Sequence, residues 1–368
     1  MIGRYRLSRI ERYVLLQTLK SLGVSLAVIA GLVVLIDFVE VSRSVGRHAD
    51  VGGARIFGLT LMKSPAVILE LLPFVFLFGA LAAFVGLNRR SELVAMRAAG
   101  VSAWRFVFPA GAAAFLIGVL TVTVLNPVAA SLDGRYEQER ARIRGGAGPA
   151  EASAVWLREG DDSRQIVIRA ESRNLSTGVL NDVSFFIYTV GEDGARSFSE
   201  RIDAATASLS AGSWRLTDAQ GASVGQQARP YASLDLPSSI ADDDAFNQFA
   251  DPDSTPFWSL PPQIDRIEAA GFSATAHRLK LQQLLATPLM FAAMSMLAAA
   301  FSLRLMRLGD LARMSVAAVV LGFAFFFVNQ FTAALGAAEA IPAFLAAWLP
   351  PILTALSAFT LLFYTEDG

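Results

Sequence analysis

The chain has 368 residues, of which 54% are hydrophobic and only 17% are charged, and its mean hydropathy is +0.48. Soluble globular domains carry about 25% charged residues, so this composition predicts that lipid surrounds much of the folded chain. The net charge of -1 gives no basic excess for nucleic acid, and the lack of cysteine excludes disulfides, thiolate metal sites and cysteine nucleophiles.

Six apolar runs without a charged residue predict six membrane-spanning helices. A spanning helix needs roughly 20 mostly apolar residues. The first run is shorter, but Lys20 can extend its ammonium toward the membrane surface and apolar residues flank the run on both sides. The runs are 21–36, 71–88, 106–132, 281–303, 314–338 and 340–365.

Lysine and arginine in the short connections predict the orientation of these spans. With a cytoplasmic N-terminus, twelve such residues fall on the cytoplasmic side and four on the other side. Cytoplasmic loops carry the excess of positive charge, and a long translocated segment such as 133–280 does not count toward it. We therefore expect an inner-membrane protein with both termini in the cytoplasm and the large insertion in the periplasm.

Between the third and fourth spans, short runs of alternating apolar and polar residues predict an all-β domain. In one run, Ile166, Ile168 and Ala170 point one way while Val167 and Arg169 point the other. Such runs separated by turn residues are typical of an antiparallel sandwich or roll. They are 154–157, 165–170, 183–190, 204–210 and 213–217. The acidic stretch 238–258 is interpreted as a solvated linker rather than a calcium site, because it lacks the EF-hand spacing and its glycine.

The sequence contains no recognisable catalytic or nucleotide-binding motif. It has no phosphate-binding P-loop, no nucleophile elbow and no paired histidine ligands. His48, His277 and Asp37 are interpreted as polar residues at the membrane interface. We therefore expect a chain that is not an enzyme by itself and binds no cofactor or metal.

The segment 88–102, between the second and third spans, predicts a short helix on the cytoplasmic membrane surface. Asn88 or Ser91 can cap its start, and Gly100 suits a left-handed stop. Leu93 and Met96 would face one side, leaving Glu92 and the arginines for another protein. An interfacial amphipathic helix without a partner is the alternative.

Several stretches along the chain resemble the LptF/LptG permease family of the lipopolysaccharide-export ABC transporter. The Asp-Phe-Val-Glu at 37–40 and the Arg-Ala-Ala-Gly at 97–100 are more similar to LptG than to LptF. The resembling stretches are ERY at 11–13, LIDFVE at 35–40, LLP at 71–73, LFGAL at 77–81, SELVAMRAAGVS at 91–102, AGSWRL at 211–216, LLATPL at 284–289 and AAWLP at 346–350.

The resemblance implies a permease subunit that extracts lipopolysaccharide from the outer leaflet of the inner membrane and passes it through a periplasmic β-jellyroll toward the outer membrane. It implies four partners: a homologous LptF-like permease, a cytoplasmic LptB-like ATPase dimer that uses ATP and Mg, a single-span LptC-like jellyroll protein, and lipopolysaccharide itself. The domains would be 1–132 with a coupling helix at about 88–102, the β-jellyroll with its connections at 133–275, and 276–368.

The resemblance also assigns roles to residues. ATPase coupling would use Glu92, Leu93, Met96, Arg97 and Gly100. The lipid path in the β domain would use Ile166, Ile168, Phe186, Tyr188, Leu209, Trp214 and Leu216. Lipid phosphates would meet Arg43, Arg47 or Arg135, since Asp37 stands where some LptG proteins carry a lysine. A lateral gate would be formed by Leu26, Ile29, Val33, Phe323, Phe326 and Phe327, for which helix packing is the alternative role.

Two other functions remain open from the sequence. One is the permease of a different lipid or lipoprotein ABC exporter, which the three-plus-three arrangement of spans around 133–280 disfavours. The other is a membrane-anchored periplasmic binding or sensor protein, which would need a polar cluster that the sequence does not contain.

Overall fold

The fold is a bundle of long helices with a β domain inserted between the third and fourth membrane spans. The computed structural model describes residues 8–45, 52–143, 155–160, 164–173, 179–190, 196–210, 212–223, 228–238, 252–269, 273–305 and 311–366. The helices are α1 (Arg9–Val45), α2 (Gly53–Arg89), α3 (Glu92–Ala98), α4 (Ala103–Leu120), α5 (Asn126–Ile143), α6 (Leu260–Ala269), α7 (Thr275–Leu305), α8 (Leu311–Ala337) and α9 (Ala343–Glu366).

Six helices in the described part of the chain are long and apolar enough to cross a membrane, which confirms the predicted number. They are α1, α2, α4 continued by α5, α7, α8 and α9. A single π-helical turn, Thr121–Leu125, joins α4 to α5 without a break. Several helices extend beyond the predicted spans: α1 runs from Arg9 to Val45, α2 already begins at Gly53, α5 runs on to Ile143 and α7 begins at Thr275. Charged residues at these ends hid the extensions from a search for charge-free runs.

Close contacts between helices hold the bundle together at small residues. A Cβ on Gly118 of α4 would lie 2.5 Å from the Cα atom of Pro288 in α7, and one on Gly79 of α2 would lie 2.8 Å from the Cα of Leu22 in α1. Small residues let membrane helices approach closely enough for dispersion contacts to stabilise them. The apolar window of α7 is 67% buried, whereas those of α1 and α8 are only 17% buried. α7 is thus the central helix, and α1 and α8 show most of their surface to the outside.

The inserted domain is one antiparallel sheet whose strands follow chain order. The order is β1-β2-β3-β4-β5-β6, so every neighbouring pair is consecutive in sequence. The strands are β1 (Val155–Gly160), β2 (Arg164–Arg173), β3 (Leu180–Val190), β4 (Arg196–Ser210), β5 (Ser213–Ser223) and β6 (Arg229–Pro237). This confirms the predicted antiparallel β domain. The sixth strand was not predicted, because Pro230 and Pro237 argue against a strand unless it lies at a sheet edge, where β6 is found.

A crease runs across strands β3, β4 and β5. Successive buried residues along these strands are normally two positions apart. Each strand has one place where they are three positions apart, and these three places lie side by side in the sheet. The two sides of the crease are in register, with Leu180, Ala207 and Leu216 on one side and Val183, Ala204 and Ala219 on the other. Asp182 and Asp218 lie between them with φ of 50° each. Aspartate tolerates this left-handed conformation better than most side chains, and it changes the direction of the strand.

The crease folds the sheet so that its two halves face each other. Phe185 pairs with Ile202 on β4, while Trp214 pairs with Leu209, seven residues farther along the same strand. Seven strand residues span about 23 Å. Nevertheless the rings of Phe185 and Trp214 are 5.9 Å apart in an edge-to-face contact. We call the two halves the leaves: one lies on the Leu180, Ala207 and Leu216 side of the crease, and the other lies on the Val183, Ala204 and Ala219 side. The leaves therefore enclose a shared apolar interior.

Candidate functional site

The helix α3 is held against the bundle by one deeply buried side chain. Leu93 is 1% exposed and packs in a cluster with residues of α1, α2, α4, α7 and α9, including Val14 and Leu362. The backbone turns sharply before and after this helix, with positive φ at Ser91 (59°) and Gly100 (78°). The conformation of Gly100 is the predicted left-handed stop. The helix α3 is thus packed directly against the ends of several spans.

The polar side chains of α3 point inward more than the sequence suggests. Glu92 is half-buried beside the Tyr13 side chain of α1, close to Arg90. Arg97 donates a hydrogen bond from Nη2 to the backbone oxygen of Thr365, 2.7 Å away at the end of α9. The exposed surface of α3 consists instead of Val94, Ala95 and Ala98, with Met96 partly buried.

The interior between the leaves collects most of the residues that we assigned to a lipid path. Ile166, Ile168, Trp214 and Leu216 are buried in one apolar cluster, and Leu209 packs against its border. Among the side chains that the structure describes, fourteen buried residues form this cluster, and its members without a predicted role include Phe185, Ile187, Leu180, Val183, Ile202 and Leu236.

Phe186 and Tyr188 lie on the opposite face of the sheet. The Arg201 guanidinium sits 5.4 Å from the centre of the Phe186 ring, and the Tyr188 ring packs against Phe198 at 5.7 Å. Their neighbours Phe185 and Ile187 take the inward positions. Period-two alternation could not decide between the two sets, because Val183–Val190 carries large apolar residues at both even and odd positions.

A partly buried ion cluster lies near the C-terminal end of α1, the end away from α3. Asp37 is 4% exposed, accepts a hydrogen bond from the Ser64 hydroxyl at 2.9 Å, and lies 3.4 Å from the Lys63 ammonium. Lys63 also pairs with Glu40 at 2.9 Å. The cation at this level of the membrane therefore comes from α2 and not from α1. Lysine shares its charge between two carboxylates here, which offsets the cost of burying Asp37.

The arginines assigned to lipid phosphates do not join this cluster. Arg43 and Arg135 are both exposed, and Arg47 lies outside the described residues. Arg135 precedes Tyr136, which is 3% exposed and packs with Val41 of α1.

The outward faces of α1 and α8 include four of the six residues assigned to a gate. Phe323, Phe326 and Phe327 are exposed, and Leu26 is exposed at 38%, but Val33 is buried and Ile29 is partly buried. Other residues of α1 face outward instead, at a spacing of three or four: Val24, Val28, Leu32, Leu35 and Ile36. Phe74 of α2 packs against α8, with its ring 6.2 Å from that of Phe326.

Comparison with known proteins identifies the family. The family model described as "Lipopolysaccharide export system permease LptF/LptG" matches residues 12–364. The chain belongs to the LptF/LptG permease family. It is 24% identical over 367 residues to the lipopolysaccharide export system permease protein LptG of Haemophilus influenzae, covering 98% of this chain and 100% of that protein. It is 23% identical over 349 residues to LptG of Escherichia coli strain K12, covering 93% of this chain and 94% of that protein.

Membership in the LptF/LptG family confirms the resemblance expected from the sequence, including its closer likeness to LptG. It also agrees with the six spans and the inserted sheet, which together make this chain a multi-pass membrane protein. The residues that match the family model include α3 and the whole inserted sheet.

Proposed function

We propose that this chain is an LptG-type subunit of an ABC transporter that extracts lipopolysaccharide from the outer leaflet of the inner membrane and passes it through the β domain toward the outer membrane. The observation that supports this proposal is the apolar interior between the leaves, which contains Phe185 and Trp214 at 0% exposure. Each methylene taken out of water contributes about 0.8 kcal/mol, so a chain of a dozen carbons costs roughly 10 kcal/mol to expose. An acyl chain therefore needs an apolar path at every step.

The Phe185–Trp214 contact gives the interior a closed state, since the two leaves touch there. Acyl chains can enter only if the leaves part, and the fold line at Asp182 and Asp218 is the place where the sheet can open. Packed interiors switch between discrete arrangements rather than deform continuously. Opening and closing of the leaves would admit a chain and then pass it on.

The energy for extraction would come from an LptB-like ATPase dimer docked on α3, with both termini in the cytoplasm and the sheet in the periplasm. The exposed Val94, Ala95 and Ala98 offer a small apolar face for this contact, with Arg89 and Arg90 beside it. Glu92 is the predicted acidic contact, and Glu92→Arg is expected to release the ATPase. An LptF-like permease would complete the membrane cavity at the exposed faces of α1 and α8, and an LptC-like protein would continue the path.

Site-specific photo-crosslinking tests the proposal in the assembled complex. A photoreactive residue at Trp214 should form lipopolysaccharide adducts that increase when ATP is added. The same residue at Phe186 is the matched control, because Phe186 lies on the same sheet but faces outward. Adducts with another lipid would favour a different ABC exporter. Equal adducts at both positions, or none at Trp214 with an active ATPase, would contradict the proposal.

A further inference from the structure

The third span is interrupted where a proline removes a backbone donor. In an unbroken α-helix the carbonyl oxygen of Thr123 accepts a hydrogen bond from the backbone N–H of residue 127. That residue is Pro127, which has no N–H. The helix widens here into the π-helical turn, in which the N–H of Asn126 donates to the carbonyl oxygen of Thr121, five residues earlier. The span therefore has a break in its ladder of backbone bonds between α4 and α5.

A side chain from another part of the chain supplies the missing donor. The Trp258 indole donates a hydrogen bond from Nε1 to the Thr123 carbonyl oxygen, 3.0 Å away. The backbone N–H of the preceding residue, Phe257, donates to Oδ1 of Asn126 at 2.9 Å. Asn126 is 7% exposed, and a buried amide oxygen is costly unless it accepts a hydrogen bond. Both bonds are thus made at the break that Pro127 creates.

Trp258 belongs to a short segment, residues 252–259, that we call the strap. Two further bonds hold the strap to the helices. The Ser254 hydroxyl donates to Oδ2 of Asp133 in α5 at 2.9 Å, and Asp253 pairs with the Lys280 ammonium of α7 at 2.6 Å. The strap follows the sheet in the chain and leads directly into α6 and then α7. It therefore connects the helix that precedes the sheet with the helices that follow it.

The strap contacts the third span at about the level of the membrane surface opposite α3. Thr123 is twenty residues beyond Ala103, the first residue of α4, which corresponds to about 30 Å of helix. The hydrocarbon core of a bilayer is about as thick. The Trp258 side chain is 63% exposed although its N–H is bonded. Tryptophan is enriched at this depth, since its ring suits lipid and its N–H finds a polar partner there.

We propose that Trp258 is a positioning residue for export, which replaces the N–H that Pro127 lacks and so makes the π-turn and the strap move as one unit. Bends in helices concentrate at prolines and π-turns. Because α3 lies directly before α4 in the chain, a displacement of α3 by a docked ATPase would change the bend at the π-turn. The strap would carry this change to the chain that leaves the β domain. The role rests on the proposed export function; a fixed strap that only stabilises the fold is the competing role.

Two substitutions remove the bond between Trp258 and Thr123 from opposite ends. Trp258→Phe keeps an aromatic ring and loses the donor. Pro127→Ala gives the helix its own N–H, so the Thr123 carbonyl no longer needs the indole. In the assembled complex, each should speed hydrogen exchange of the Phe257 amide about tenfold, as the loss of one hydrogen bond predicts. Each should also lower the lipopolysaccharide released per ATP hydrolysed, and the double variant should lower it no further than either single variant.

Thermal unfolding in detergent separates positioning from a loss of stability. Trp258→Phe should lower the unfolding temperature, whereas Pro127→Ala should raise it, because it restores a helix bond and replaces proline by the best helix former. A purely structural strap would make export follow stability, so that only Trp258→Phe would impair it. Trp348→Phe is the matched control, since it removes another indole hydrogen bond, to Gln282 at 3.0 Å, outside the strap. Its export should be unchanged.

Three results would overturn the proposal. They are a native exchange rate of the Phe257 amide in Trp258→Phe, native lipid release per ATP in Pro127→Ala, and losses that add up in the double variant. The native complex is measured in the same assays, and photo-adducts at Trp214 report on export itself. A native complex with neither lipid release nor adducts would count against the proposed export function, whereas any of the three results beside a working native complex counts against the strap alone.

Discussion

Arg97 donates a hydrogen bond from its guanidinium to the carbonyl oxygen of Thr365, 2.7 Å away. The first residue belongs to the short helix α3 and the second to the last turn of α9, 268 positions farther along the chain. The last carbonyls of a helix have no partner within the helix, and a cation there also interacts favourably with the helix dipole. Arg97 therefore acts as a C-terminal cap for α9 and ties it to α3.

Replacing Arg97 by alanine should loosen the end of α9 without removing α3. A hydrogen bond to a charged group contributes about 1.5–3 kcal/mol, so the last turn of α9 should open roughly tenfold more often or more. Hydrogen exchange of the amides near Thr365 measures this opening. Arg89→Ala removes a nearby exposed arginine and should leave the exchange unchanged.

The same substitution tests whether the cap couples ATP hydrolysis to transport. If α3 is the docking helix, Arg97→Ala should lower the amount of lipopolysaccharide released per ATP hydrolysed while the ATPase still copurifies. A variant that releases as much lipid per ATP as the native complex would show that the Arg97–Thr365 bond has no role in coupling.

Locking the leaves of the sheet together should stop transport. The sequence has no cysteine, so Phe185→Cys with Trp214→Cys introduces the only thiols of the chain. A short bis-maleimide can join these positions, whose native rings lie 5.9 Å apart. We expect the linked protein to lose lipid release while the complex stays assembled.

Phe186→Cys with Tyr188→Cys is the control for the locking experiment. These two residues lie on the outer face of one strand, so a cross-link between them does not join the two leaves, which can still separate. Full transport in the doubly substituted Phe185 and Trp214 protein after complete cross-linking would contradict the opening of the leaves.

The crossing of α4 and α7 should not tolerate a side chain at Gly118. A Cβ there would lie 2.5 Å from the Cα of Pro288, which is backbone and cannot move aside as a flexible side chain would. Gly118→Ala should therefore destabilise the protein by about 1–3 kcal/mol, the usual cost of overpacking. Thermal unfolding in detergent measures the change. Gly134→Ala is the control, because a Cβ there meets no atom within 4 Å and alanine favours a helix.

Glu339 should make the connection between α8 and α9 sensitive to acid. Its pKa is lowered from the ordinary 4.5 because the carboxylate accepts hydrogen bonds from the hydroxyls of Thr275 and Ser273, each at 2.8 Å. A lowered pKa in the folded state means that the stabilisation is complete above the ordinary value and is lost as the pH falls through the folded value. Glu339→Gln should reduce thermal stability slightly at neutral pH.

The pH profile separates this effect from a general loss of packing. The difference between the native chain and Glu339→Gln should shrink as the pH falls below the ordinary 4.5 and through the lowered pKa of Glu339, where the native carboxyl also becomes neutral. A difference that stays constant across this range would show that charge on Glu339 does not hold the connection to α7.

Several features of the fold could be read from the sequence because they are local. Six apolar runs predict six spans, and the left-handed stop at Gly100 follows from the conformational freedom of glycine. The strand Arg164–Arg173 was likewise visible in the alternation of Ile166 and Ile168 with polar residues. Each of these signals depends on neighbours along the chain.

The candidate site could be predicted only in part, since its geometry depends on distant residues. Phe185 and Phe186 are chemically equal, and only the pairing with β2 and β4 decides that Phe185 faces inward. The sequence suggests that the side chains of Glu92 and Arg97 are available to bind a partner protein. The structure turns them toward Tyr13 and Thr365, which are remote in sequence.

The sequence by itself determined that this protein is embedded in a membrane, how many times it crosses the membrane, and that a β-sheet is inserted between its helices. It could do so because hydropathy and periodicity are properties of consecutive residues. Only the tertiary structure decided that the sheet folds along Asp182 and Asp218, and which spans remain uncovered. The Phe185–Trp214 contact joins residues of two strands that are not neighbours in the sheet. Such a contact requires the bend in β4 that lies between them, and no local pattern encodes its angle.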